Sequence, residues 1–86
     1  MTRQEAVTFS IEALRLKQGD IIIVHDEKDM DTLLEMTQQG IGFTPYQNPV
    51  LFIKGGIESA SKGDLLDALA VLEQTDAASR IITKAN

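Results

Sequence analysis

The chain has no cysteine at all. That excludes disulfide frameworks, thiolate metal sites, thiol redox chemistry and a cysteine nucleophile together, and it suits a reducing cytosol. Long apolar runs are also missing. None approaches the roughly 20 residues of a membrane-spanning helix, and the opening "MTRQEAVTFS" lacks the apolar centre of a secretion signal, so a cytoplasmic location is expected. Aromatics are few: Phe9, Phe43, Tyr46 and Phe52 are the whole set. Cations are outnumbered, 8 against 13 acids for a net charge of −5, and they are scattered along the chain. Binding to a nucleic-acid backbone is therefore disfavoured.

What is present is ordinary globular material. With 86 residues, 43% apolar and 24% charged, the chain fills one hydrophobic core and not two. At roughly 0.05 to 0.15 kcal/mol per residue, such a domain is held by about 4 to 13 kcal/mol, a margin that a partner subunit would raise appreciably. Homo-oligomerisation is consequently open.

The hydropathy pattern predicts a small α/β domain, either α/β or α+β, in the order β-β-α-β-α with a possible last strand. Its single sheet is expected to hold three or four strands. In "AVTFSIEALRLKQGD", Val7, Phe9 and Ile11 alternate as in a strand, while Val7, Ile11 and Leu14 also fit a helix face. The β-branched and aromatic content favours a strand over residues 6–11. "LKQGD" reads as a turn in which Gly19 takes positive φ. The aliphatic run over residues 21–24 predicts a strand covered on both faces. Met30, Leu33, Leu34 and Thr37 then share a helical face over residues 30–39, with Asp29 as N-cap and Gly40 as the C-terminal stop. "GIGFTPYQNP" is a long loop, "VLFIK" a second aliphatic strand, and the span between the two aliphatic strands suits a parallel βαβ unit. "DLLDALAVLEQ" is the most regular helix, with Leu65, Leu66, Leu69 and Leu72 on one face and Ser61 three residues before Asp64 as a cap. The tail "TDAASRIITKAN" is compatible with an edge strand, continued helix or fraying.

The segment "LRLKQGDIIIVHD", an amphipathic helix and "NPVLFIKGG" together resemble short proteins of unassigned function encoded in bacteriophage and prophage genomes. The likeness covers residues 14–56 and brings no catalytic residues with it. It implies a phage origin and a role against a host protein.

Four stretches carry candidate chemistry. His25, Asp26 and Asp29 stand in a crowded charged stretch after the first aliphatic strand and have ligand chemistry for a metal ion. The spacing fails the calcium-loop pattern, because Leu33 and Leu34 fall where a ligand and a glycine belong. The alternative is a strand end in water, where like charges about 6 Å apart repel by only about 0.7 kcal/mol. His25 alone, at the carboxyl end of a strand, has the place of a general base but no nucleophile at a recognisable spacing. Gly55, Gly56, Ser61 and Lys62 lie between strand and helix and offer backbone amides to a small anion, although the phosphate-loop pattern is broken at two positions. Phe43 and Tyr46 suit a protein partner, or else a lid over the core. No reactive constellation emerges and no cofactor is implied. The reading is a non-catalytic, acidic protein-interaction module, an adaptor or inhibitor, with homodimer formation through an exposed strand edge as one route. A small-anion or metal-ion binding domain is the alternative.

Overall fold

A computed structural model describes residues 1–74 and 80–85. Among the described residues three helices surround a three-stranded parallel sheet: α1 (Arg3–Glu12), β1 (Ile21–His25), α2 (Met30–Gln38), β2 (Val50–Ile53), α3 (Lys62–Glu73) and β3 (Ile81–Lys84). A single 3₁₀ turn (Ile57–Ser59) precedes α3. The strand order is β2-β1-β3, so β1 is the central strand. Ile22 faces Val50 across one ladder and Ile82 across the other.

The parallel βαβ unit is present as β1-α2-β2, but the strand expected over residues 6–11 is helix α1. Sheet membership is thus made up by β3, and the described residues hold three helices where two were expected. A capping box starts α1: the Glu5 backbone N–H donates to Thr2 Oγ1 at 3.1 Å, and the Thr2 N–H donates to Glu5 Oε1 at 3.4 Å. Val7 and Ile11, one turn apart, are buried, whereas Phe9 is 66% exposed. The alternation was therefore incidental: a strand with one buried face would have buried Phe9 with its neighbours.

Strand alternation sorts the core into two layers. Ile22 and Val24, with Val50, Phe52 and Ile82 partly buried, meet Val7, Ile11, Leu33 and Met36 of α1 and α2. Ile21, Ile23 and Ile53 are also buried but outside that cluster, on the opposite face, where α3 lies against β1 and buries Ala68. This two-sided cover is the reason the β1 sequence is aliphatic at successive positions.

Helix α2 ends in a Schellman motif: the Ile41 N–H donates to Met36 O at 2.9 Å, the Gly40 N–H to Thr37 O at 3.1 Å, and Gly40 has φ +74°. Asp29 occupies the N-cap position of α2, yet its side chain makes no cap hydrogen bond. Its carboxylate is 3.5 Å from Arg3 Nε instead, which ties α1 to the start of α2. Of the tail, residues 81–84 form the edge strand β3, parallel to β1; residues 75–79 and 86 lie outside the described residues.

Candidate functional site

At the carboxyl edge of the sheet β1 ends in His25, and Asp26 turns the chain with a left-handed backbone, φ +49°, which aspartate tolerates. His25 Nδ1 is 4.0 Å from Asp26 Oδ2 and has no hydrogen-bond partner. Asp29 is engaged with Arg3, away from this pair. Among the described residues no three His, Asp or Glu side chains gather as they would around a metal ion.

Glu27, indistinguishable by local pattern from its acidic neighbours, has the most defined role at this edge. Its side chain is 6% exposed, its carboxylate accepts from Lys84 Nζ at 2.7 Å, and the Asp29 N–H donates to the other oxygen at 3.5 Å. It thereby fastens the end of β3 to the start of α2. The partners are 57 positions apart, so no local pattern announces the pair.

The strand-to-helix turn after β2 holds Gly55, Gly56, Ser61 and Lys62. Gly55 has φ +83°, and a side chain at Gly56 would run into the Glu58 carboxylate. Ser61 and Asp64 form a reciprocal capping box, each side chain accepting from the other's backbone N–H at 3.1 Å. Two of the donors an anion would seek are thus occupied from within the chain, and the carboxylate beside Gly56 opposes an incoming negative charge.

Phe43 and Tyr46 are parted by the fold. Phe43 is 9% exposed and belongs to the core cluster, whereas Tyr46 is 56% exposed. The ring of Phe43 is taken up by a core with few aromatics, and Tyr46 is the exposed member of the pair. The loop that carries both is pinned by buried Asn48, whose Nδ2 donates to Lys17 O at 2.8 Å and to Asp20 O at 3.1 Å.

Two surfaces stand out beyond these stretches. Between α1 and the end of α2 lies an open cleft of about 530 Å³, lined by Phe9, Met36 and Ile41. On the other side of the molecule, α3 buries Ala68 fully and Val71 and Leu72 partly, and leaves Leu65, Leu66 and Leu69 at 53%, 53% and 50% exposure. The leucine face that marks this segment as a helix is wider than the sheet beneath it can cover. No family model, curated protein or solved structure matches the chain. The surplus leucines have their trace in the sequence alone: α3 carries apolar residues around more than half its circumference, more than one packed face accounts for.

Proposed function

We propose that the protein is a non-catalytic interaction module whose contact surface is the outer face of α3. The observation that carries this is the exposure of Leu65, Leu66 and Leu69 together on one helix of a small acidic domain. Contiguous leucines at half exposure lose little entropy on docking and gain by leaving water, which is the physics of a helix laid into a partner. The resemblance to phage-encoded proteins makes a cytoplasmic host protein the partner class to test. Immobilised wild-type chain is expected to capture a protein from host lysate. The variant Leu66→Glu/Leu69→Glu is expected to lose that capture with an unchanged circular dichroism spectrum and Tm. Capture indifferent to the two charges would place the contact elsewhere.

A further inference from the structure

The leucine face of α3 has charged ends. Lys62 opens the helix and Glu73 closes it; they stand about three turns apart and so point in nearly the same direction, along the stripe of Leu65, Leu66 and Leu69. The midpoint of Lys62 and Glu73 is also the midpoint of Leu66 and Leu69. Turned end for end, Leu66 and Leu69 exchange places and Lys62 and Glu73 exchange ends, while Leu65 comes to the position of exposed Ala70, so the centre stays apolar and the charges at the ends swap sign. Both charged residues are exposed, and among the described residues neither enters an ion pair.

Within one helix this placement is unfavourable, because the positive end of the macrodipole prefers an acid and the negative end a cation. Beside an antiparallel second helix the signs invert. Lys62 lies at the neighbour's carboxyl end facing its Glu73, and Glu73 lies at the neighbour's amino end facing its Lys62. A two-fold axis requires this kind of self-complementarity, in which residue i meets j and j meets i.

Building on the reading of α3 as the contact face, we infer that its occupant is α3 of a second copy of this chain, packed antiparallel about a two-fold axis between Leu66 and Leu69. A single helix face is smaller than the roughly 800 Å² per partner of a standard stable interface, so the pair is reversible and concentration-dependent. A net charge of −5 on each copy opposes association, and about 0.15 M salt screens it without removing close pairs.

Sedimentation equilibrium on the full chain at that salt tests the inference. The apparent mass of the wild type is expected to rise from 9.4 kDa toward twice that value with concentration. Lys62→Glu and Glu73→Lys alone each turn two attractions into two repulsions, and each should weaken association about tenfold. The double variant Lys62→Glu/Glu73→Lys should restore it, and the two single variants mixed should pair with each other. Loss of fold does not imitate this pattern, since Glu73→Lys favours its own helix dipole and its Tm at low concentration should not fall. A wild type that stays at 9.4 kDa up to millimolar concentration, or a charge swap that restores nothing, overturns the inference. In either case, lysate capture that Leu66→Glu/Leu69→Glu abolishes leaves α3 as a contact face for a different protein. Capture that ignores those charges removes both readings.

Discussion

Asn48 ties the loop before β2 to the 17–20 turn at the amino edge of the sheet. Its amide donates to two carbonyls of the 17–20 turn, and the Tyr46 N–H donates to its Oδ1 at 3.4 Å. Asn48→Ala takes the side-chain donor from the buried Asp20 carbonyl, while Lys17 O keeps the Asp20 N–H at 3.1 Å; the loss should cost about 1 to 3 kcal/mol, read as a lower urea midpoint at unchanged slope. In the same turn, buried Asp20 accepts from the Lys17 N–H at 2.8 Å and from Arg80 Nε at 3.1 Å. Burial by itself pushes the Asp20 carboxyl up, but the Lys17 backbone N–H, the Arg80 guanidinium and the Lys17 charge outweigh it and hold it below its ordinary value. The folded state therefore binds this proton less readily than the unfolded state. The resulting stability is complete above the unfolded pKa of about 3.9 and disappears as pH falls through the lower folded value. Urea midpoints from pH 7 to pH 3 should show wild type and Asp20→Asn converging in acid; a constant gap would contradict that assignment.

Helices α1 and α3 and strand β3 are secured at their ends by side chains. Helix α1 depends on its capping box because its apolar side is narrow, with Val7 and Ile11 its only buried residues. Thr2→Ala should cost about 1 kcal/mol, a fall in Tm of roughly 4 to 8 °C for a domain of this size. Strand β3 is held at both ends by side chains, Arg80 to Asp20 and Lys84 to Glu27, and the Ile21 N–H donates to Arg80 O at 3.0 Å. The Lys84–Glu27 pair is nearly buried, with 12% and 6% exposure, so loss of either partner strands the other charge away from water. Helix α3 differs from α1 and α2 in that its covered side is a minority of its apolar surface, which is why it carries the proposed function.

Across the whole molecule, stability is graded from the central strand outward. Successive β1 amides turn to opposite neighbours: Ile21 donates to Arg80 O on the β3 side, and Ile22 to Pro49 O on the β2 side. Strand β2 is backed by Val50 and Phe52 against the larger core layer, while β3 contributes only Ile82 there. Local opening should therefore release β3 before β2. Hydrogen exchange is expected to show slower exchange at Ile22 and Val24 than at Ile21 and Ile23. Equal protection along β1 would mean that the sheet opens as one unit.

Local chemistry was enough to reveal the turn at Gly19, the aliphatic strands, α2 with its glycine stop and α3 with its serine cap, because each is encoded by neighbours a few residues apart. Helix α1 was legible too, in Thr2 and Glu5, but the accidental alternation of Val7, Phe9 and Ile11 carried the opposite sign. No periodicity could have shown that Glu27 meets Lys84, that Asp20 meets Arg80 or that Asn48 bridges to the 17–20 turn, since partners so far apart in the chain are brought together only by the folded sheet. The same holds for the proposed contact surface. The leucines and end charges of α3 are written in the sequence, but which of them stay in water depends on how wide a sheet lies beneath the helix, and that width is a property of tertiary structure alone.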